Sequence, residues 1–320
     1  MAKSSKKLWE PLKKGDIVDV VAPGFSISDE KLKAGLEFLK DLGLKPRVPN
    51  DLFGEDIVCS HRDEIRLKHL KNAFLAKDSK AIWCVRGGYG SIRLIEELSK
   101  LKKPKQNKLF IGYSDACTIH NYLNQFWGFA SLHGPLLDRL GEQTLPPTQV
   151  EELIKIIFGE QSEVLFKNLK PLNKAAKSKR AIRASIAGGN LSVTQTHLGT
   201  KFCRTPKEQI LFFEDIGERG YKVDKMLKQL EMAGYFKGVR AIVFGEFTGS
   251  DEPLRHPGDS SDSRVPSVLS RFASEIKVPV LSGVPVGHGS LQRPLPLGLS
   301  AELKCGSTGE LKIKVPTVKK

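Results

Sequence analysis

The stretch that decides the fold is AIWCVRGGYGSIRLIEEL, residues 81–98, where a buried-type apolar run ends in a glycine-rich turn and a helical pattern follows. Residues 108–118, KLFIGYSDACT, show a similar succession, with an apolar strand over 108–113, then Ser114-Asp115 and the start of a predicted helix. Residues 16–39 show it as well, with an apolar strand, the turn at Pro23-Gly24 and a helix that begins after Ser28. Strands that alternate with helices predict βαβ units and a mostly parallel sheet.

The second half of the chain has shorter strand signals and more Gly and Pro turns. Apolar strand signals lie at residues 184–187, 209–213, 241–244 and 278–281. One amphipathic helix is predicted over residues 223–233, and the Pro-, Gly-, Ser- and Asp-rich segment 250–264 is predicted to be a mobile loop. Because the periodic pattern weakens around residues 151–180, we expect a domain over 1–150, a linker over 151–180 and a second domain over 181–320.

The charge of the chain is strongly basic. Its 320 residues include 51 Lys and Arg against 36 Asp and Glu, a formal charge of +15. Basic residues crowd the N-terminus (Lys3, Lys6, Lys7, Lys13 and Lys14) and residues 167–183, which hold seven basic residues and no acid. Neither segment has a docking helix or interleaved aromatic residues, so we expect no specific nucleic-acid recognition.

The cysteine content and the hydropathy of the chain bear on its cellular compartment and on whether it binds a metal. The five cysteines are Cys59, Cys84, Cys117, Cys203 and Cys305. They form no CxxC pair and have no histidine at metal-ligand spacing, so we expect free thiols in a reducing compartment and no metal. We see no secretion signal and no apolar run long enough to span a membrane, which favours a cytoplasmic protein.

Ser114 lies at a sharp junction between a predicted strand and a predicted helix. The unpaired N–H groups of an incoming helix at such a junction favour an acyl-transfer nucleophile. The local sequence Gly-Tyr-Ser-Asp-Ala departs from the GxSxG nucleophile elbow. A helix N-cap followed by an acidic first-turn residue, Asp115, explains the same pattern.

The Arg86–Gly90 turn follows the preceding strand of the predicted parallel sheet. Successive carboxyl ends of parallel strands line one crevice, which would bring this turn near Ser114. Its glycines would let the backbone donate N–H groups to an oxyanion. A tight turn that needs a positive φ is the competing explanation.

Three further residues are candidates for acid–base work. Glu214 and Asp215 follow a buried-type strand, and His288 lies in a small, glycine-flanked turn. A Ser–His–acid relay needs a base within reach of the nucleophile and a third group that fixes the tautomer of the base. Taken singly, Glu214 is also explained as a helix-start acid and His288 as a satisfied turn residue. His133 is the other histidine in a constrained turn.

Seven segments in order along the chain resemble the LD-carboxypeptidase family of serine peptidases, which includes muramoyltetrapeptide carboxypeptidase and the microcin C immunity peptidase. They are residues 15–23, 81–90 (AIWCVRGGYG), 110–118 (FIGYSDACT), 133–135 (HGP), 188–191 (GGNL), 211–227 (LFFEDIGERGYKVDKML) and 283–289 (GVPVGHG). The resemblance implies an α/β fold with a flavodoxin-like parallel-sheet domain, a smaller β-rich C-terminal α/β domain, and an active site in the interdomain cleft.

The resemblance also implies roles for individual residues. Ser114 matches the nucleophile, Glu214 the triad acid and His288 the base. Backbone N–H groups of Asp115, Gly87 and Gly88 would bind the oxyanion, and we assign Asp215 a structural role. A carboxypeptidase needs a donor for the terminal carboxylate of its substrate, and Arg86 is the candidate.

The implied activity is cleavage of the L,D-amide bond before the terminal D-alanine of murein tetrapeptides, within cytoplasmic cell-wall recycling, by a homodimer without cofactor. A microcin-type amidase that cleaves an aminoacyl- or peptidyl-nucleotide amide is the alternative, and a non-catalytic binder of peptides or polyanions is the alternative of another class. The loops at residues 23–26 and 250–264 depart from the family pattern and would alter specificity.

Overall fold

The computed structural model describes residues 8–252 and 261–318 of the chain. The chain divides into two compact units. Of the described residues, the first unit comprises 8–164, 292–299 and 314–318, and the second comprises 165–252, 261–291 and 300–313. Lys3, Lys6, Lys7 and the middle of the predicted 250–264 loop lie outside the described residues.

The elements alternate between strand and helix through most of the chain. The strands in the described residues are β1 (Ile17–Val21), β2 (Lys45–Arg47), β3 (Ser79–Cys84), β4 (Leu109–Gly112), β5 (Ser131–His133), β6 (Glu163–Pro171), β7 (Arg180–Asn190), β8 (Gln209–Ile216), β9 (Ala241–Thr248), β10 (Val280–Ser282), β11 (Leu295–Leu297), β12 (Ser300–Cys305) and β13 (Gly309–Lys314). The α-helices there are α1 (Asp29–Asp41), α2 (Asp63–Leu75), α3 (Ser91–Ser99), α4 (Cys117–Tyr122), α5 (Leu137–Gly141), α6 (Pro147–Ile157), α7 (Lys174–Lys177), α8 (Leu191–Gln195), α9 (Gly220–Met232) and α10 (Val265–Glu275). A 3-10 turn (Ser114–Ala116) precedes α4, and a π-helical turn (Leu123–Trp127) follows it.

The first unit is built on a six-stranded sheet in the order β11-β5-β4-β3-β1-β2. Neighbouring strands run parallel except β11, which is antiparallel to β5. The central strand β3 is buried because its residues Ala81 to Cys84 are apolar and fully inaccessible, as in a sheet covered on both faces. The predicted helix after Ser28 is present, and the Ser28 hydroxyl accepts from the Lys31 N–H at 3.4 Å.

The second unit contains a closed seven-stranded barrel in the order β10-β6-β13-β12-β7-β8-β9. Strands β7, β8, β9 and β10 form its parallel part, and β12 is antiparallel to both β7 and β13. Helices α8, α9 and α10 bury their apolar faces against β8 and β9. The fold as a whole is therefore mixed α/β, with a mainly parallel sheet in one unit and a barrel in the other.

The structure adds two features that local patterns do not reveal. Residues 151–180 hold most of α6, all of α7 and the barrel strand β6, and the unit boundary at Val164 and Leu165 falls within this segment. The chain also returns to the first unit at Gln292–Leu299 and adds β11 to its sheet. Both features depend on pairing between residues far apart in sequence.

Two of the cysteines lie in apolar segments of the first unit. Cys84 and Cys117 are fully buried, and all five thiols are free. The long, apolar type of helix that could cross a membrane does not occur among the described residues.

Truncation of Phe244 tests the core of the second unit. Phe244 is fully buried between β8 and α10, where its ring meets those of Phe213 and Phe272. We expect Phe244→Ala to lower the free energy of unfolding by about 3–5 kcal/mol, because the change leaves a cavity. Met232→Ala is the control, since Met232 is 82% exposed and should change the stability by about 0.5 kcal/mol or less. Urea unfolding followed by circular dichroism measures both, and equal stabilities would contradict the assignment of this core.

Candidate active site

Ser114 occupies an unusual backbone conformation directly after β4. Its φ is +61°, in the left-handed region that residues other than glycine seldom adopt, whereas Tyr113 before it is extended. The chain therefore reverses sharply at Ser114 and enters the 3-10 turn and α4. The side chain is half-buried, so a hydroxyl is presented at the carboxyl end of the sheet.

Gly87 packs directly on Ser114. A Cβ atom placed on Gly87 would lie 2.7 Å from Ser114 Cβ and 2.9 Å from its Oγ, so only glycine leaves room for this approach. The Gly87 carbonyl accepts a hydrogen bond of 2.9 Å from the Phe25 N–H. Within the described residues, the N–H groups of Gly87 and Gly88 donate to no backbone carbonyl. The turn after β1 thus contacts the turn after β3 through Phe25 and Gly87, and Gly87 in turn contacts Ser114 after β4.

Arg86 lies in the same turn with an exposed side chain. Burial raises the pKa of Asp138 above its usual value, and the positive charge of Arg86 offsets part of that increase. The guanidinium is thus accessible beside the turn that packs on Ser114.

Glu214 and His288 are hydrogen-bonded to one another in the second unit. His288 Nδ1 lies 2.6 Å from Glu214 Oε2, and the carboxylate is fully buried. Glu214 lies near the carboxyl end of β8. His288 lies in the turn after β10, and backbone hydrogen bonds of Val284 and Val286 hold this turn against β9. A buried carboxylate at this distance fixes the orientation of an imidazole and stabilises its protonated form.

Asn190 connects the two adjacent carboxylates of β8. Its amide Nδ2 donates to Glu214 Oε1 at 3.3 Å and to Asp215 Oδ1 at 3.0 Å. Asp215 also accepts from the Ser192 N–H at 2.8 Å and the Ile216 N–H at 2.9 Å. Asp215 thereby holds the start of α8 and the Asn190 side chain, which in turn contacts Glu214.

The glycines that flank His288 let its turn approach β9 closely. A Cβ on Gly287 would lie 2.7 Å from Glu246 Cβ, and one on Gly289 would lie 2.8 Å from Glu246 Oε2. Burial raises the pKa of Glu246, and the negative charge of Glu214 raises it further. Glu246 is therefore a second carboxylate packed against the histidine turn.

The residues that sequence analysis selected fall into two groups. Ser114, Asp115, Gly87, Gly88 and Arg86 lie together in the first unit, and Glu214 and His288 lie together in the second. His133 is buried in β5, with its ring 5.7 Å from that of Tyr113. Sequence analysis gave no role to Asn190 or Glu246. The signal that could have identified Asn190 is its position after Gly188-Gly189 at the end of β7.

Comparison with known proteins supplies independent information. Residues 18–134 match the LD-carboxypeptidase N-terminal domain, and residues 183–303 match the LD-carboxypeptidase C-terminal domain. The chain is 31% identical to a probable murein peptide carboxypeptidase of Bacillus subtilis over 293 residues, 91% of this chain and 90% of the relative. It is 29% identical to the murein tetrapeptide carboxypeptidase of Pseudomonas aeruginosa over 306 residues, 94% of this chain and 96% of the relative.

Solved structures agree with these matches. The crystal structure of muramoyltetrapeptide carboxypeptidase from Oxalobacter formigenes superposes with a TM-score of 0.81 at 26% identity, covering 94% of this chain and all of that one. The microcin C7 self immunity protein in complex with aspartyl sulfamoyl adenosine gives a TM-score of 0.81 at 21% identity, covering 98% and 99% of the two chains. At that identity the second likeness shows the fold alone.

These matches define the class of the protein as a serine-type peptidase, a hydrolase that removes residues from the carboxyl end of peptides. More particularly, the chain belongs to the LD-carboxypeptidase family, and both of its domains are present.

The ionisation of Asp215 gives a pH-dependent test of this carboxylate cluster. Burial, together with the charge of Glu214, raises the pKa of Asp215 to about 6, whereas the unfolded chain titrates near 3.8. The folded protein therefore binds more protons between these values, and this group makes the free energy of unfolding fall as the pH rises from about 4 to about 6.

Asp215→Asn removes the titration, so we expect the stability difference between wild type and variant to change over this interval. Urea unfolding at pH 4.5 and 7.5 should show wild type losing stability relative to Asp215→Asn with rising pH. A difference that does not depend on pH would contradict the raised pKa.

Proposed function

We propose that the protein is a carboxypeptidase that cleaves the L,D-amide bond before the terminal D-alanine of murein tetrapeptides, with Ser114, His288 and Glu214 as its triad. The observation that carries the proposal is the hydrogen bond of 2.6 Å between His288 Nδ1 and the fully buried Glu214. A buried acid that holds a histidine in one tautomer is a component of the Ser–His–acid triad, and a purely structural role gives no reason for this arrangement.

In the proposed mechanism, His288 Nε2 takes the proton of the Ser114 hydroxyl as Oγ attacks the scissile carbonyl. The resulting oxyanion accepts hydrogen bonds from the backbone N–H groups of Asp115 and the Gly87-Gly88 turn. His288 then gives the proton to the amine of D-alanine, the C–N bond breaks, and water releases the acyl group by the same proton transfers in reverse order. Glu214 stays ionised and stabilises the imidazolium.

The backbone geometry around Ser114 supports the nucleophile role. The strands of the first unit lie in the order β2-β1-β3-β4-β5 and run parallel, and ligands of open parallel α/β sheets bind outside the carboxyl ends of the strands. The left-handed conformation of Ser114 lies at that edge, and strained residues concentrate at functional sites.

The substrate assignment is supported by the relatives whose names specify murein peptides. A cytoplasmic location and a homodimeric assembly, which the family resemblance implies, stay predictions.

Incubation with three substrates tests the function. Purified wild type, Ser114→Ala, His288→Ala and Glu214→Gln are each mixed with murein tetrapeptide, murein pentapeptide and aspartyl sulfamoyl adenosine, and the products are followed by mass spectrometry. We expect wild type to release D-alanine from tetrapeptide alone, and each triad variant to lose about 10⁴-fold or more in kcat. Ser99→Ala, at the end of α3, is the matched serine control and should retain activity.

Other outcomes would reject the proposal in distinct ways. Cleavage of the sulfamoyl adenosine alone would assign the protein to a microcin-type activity. Binding without turnover of any substrate, unchanged in Ser114→Ala, would identify a non-catalytic binding protein.

Substitution of Arg86 tests recognition of the substrate carboxylate. If the exposed Arg86 guanidinium binds the terminal carboxylate, Arg86→Ala should raise KM for tetrapeptide by about 10- to 100-fold, since a hydrogen bond to a charged group contributes about 1.5–3 kcal/mol. Tetrapeptide with a C-terminal amide should be a poor substrate of wild type and lose little further in the variant. Arg62→Ala, also exposed in the first unit, is the control. An unchanged KM in Arg86→Ala would show that another group binds the carboxylate.

A further inference from the structure

We infer that the side-chain carboxylate of Asp115 is a positioning group for the active site, because it fixes the Arg86–Gly90 turn against the Ser114 backbone. The residue thus acts twice: its N–H is a proposed oxyanion donor, and its carboxylate holds the turn that supplies the other donors. The inference rests on the proposed function for the identity of these donors, and it concerns a group to which the catalytic scheme gives no part.

Three hydrogen bonds connect the carboxylate to the far end of the turn. Asp115 Oδ2 accepts from the Ser91 hydroxyl at 2.6 Å and from the Ser91 N–H at 2.9 Å, and Oδ1 accepts from the Gly90 N–H at 3.1 Å. Asp115 itself is 4% exposed. Helix α3 begins at Ser91, and its N-cap residue Gly90 offers no capping side chain. The helix that follows the turn is therefore capped by a carboxylate from the next βα unit.

Packing around the carboxylate leaves the turn little freedom. A Cβ on Gly24 would lie 3.1 Å from Asp115 Oδ2, and a Cβ on Gly90 would lie 2.8 Å from the Pro23 carbonyl oxygen. The buried Arg66 donates to that carbonyl and to Asp63. Burial raises the pKa of Asp115, while the hydrogen bonds from Ser91 and Gly90 and the positive charge of Arg66 act in the opposite direction. Glycines at these positions allow the turns after β1, β3 and β4 to touch.

The near end of the turn is fixed by Ser114 itself. Gly87 packs on the Ser114 side chain, and the Phe25 N–H holds the Gly87 carbonyl. The turn is consequently held at Gly87 by contact with the nucleophile and at Gly90 by the residue after the nucleophile. Loss of the Asp115 carboxylate would free the Gly90 end, and the N–H groups of Gly87 and Gly88 would no longer be held at a fixed distance from Ser114.

Asp115→Asn tests this role, because the amide keeps the size of the side chain but places an NH2 group against N–H donors. Reaction with a fluorophosphonate probe reports the attack of Ser114 and the stabilisation of the phosphoryl oxygen without requiring the natural substrate. We expect labelling to slow by about 10²-fold, the loss found when an oxyanion donor is removed. With murein tetrapeptide, kcat should fall by a similar factor and KM should stay within about 2-fold, because the lost interaction acts in the transition state.

Two matched variants separate positioning from general stability. Asp19→Asn changes another buried carboxylate of the same unit, one that accepts from the Ser79 hydroxyl at 2.5 Å and pairs with Arg47. It should lower the melting temperature while the folded protein reacts with the probe at the wild-type rate. Ser91→Ala removes one of the three hydrogen bonds to Asp115 and should slow labelling by about 2- to 10-fold.

The inference would be overturned if Asp115→Asn were labelled at the wild-type rate, or if its labelling rate fell no more than that of Asp19→Asn. If Asp115→Asn does not fold, Ser91→Ala decides: slower labelling supports the inference and an unchanged rate refutes it. A wild-type protein that reacts with the probe but leaves tetrapeptide intact would reject the proposed substrate, and the comparison of labelling rates would stand.

Discussion

The left-handed backbone of Ser114 is the constraint on which the first unit depends. A residue other than glycine in this region costs about 1–3 kcal/mol, so surrounding structure must hold it there. Strand β4 is fully buried before it, and the apolar residues of α4 are buried after it, which leaves the chain a single abrupt reversal. Gly87 meets the serine side chain from the neighbouring turn. The carboxyl end of the buried strand β4 is thereby shaped around one hydroxyl.

A different constraint governs the second unit, where two successive carboxylates are buried. Burial of a carboxylate is unfavourable unless hydrogen bonds compensate for the lost water. Asn190 donates to both, backbone N–H groups at Ser192 and Ile216 bind Asp215, and His288 binds Glu214. The charge of each carboxylate also disfavours that of the other, which contributes to the raised pKa of Asp215. The imidazole therefore faces a carboxylate whose position is fixed by its neighbours.

Substrate specificity in this fold depends on details of the site rather than on the fold itself. A muramoyltetrapeptide carboxypeptidase and a microcin self immunity protein superpose on this chain equally well, each with a TM-score of 0.81. Since one fold carries different activities, specificity depends on the side chains and loops around the site. In the first unit, Arg86 and the turn at residues 23–26 are the parts that we propose to set such differences.

The sequence by itself determined the local features of this protein. Alternation of apolar runs and helical periodicity located the elements around residues 17–21, 79–84 and 109–112, because these signals depend on neighbours in the chain. The order of the matching segments indicated the family. The positions of Ser114 and the Arg86–Gly90 turn after successive strands predicted that they lie at the same edge of the sheet.

Only the tertiary structure decided how distant segments meet. Residues 292–299 return to the first sheet, and the barrel closes between strands that are distant in sequence. Asn190 binds Glu214, and the Asp115 carboxylate binds Ser91. These contacts join residues that lie between 24 and more than 100 positions apart. Such pairings are selected by packing and hydrogen bonding across the whole unit. The periodicity of a single segment depends only on neighbours in the chain and therefore does not predict them.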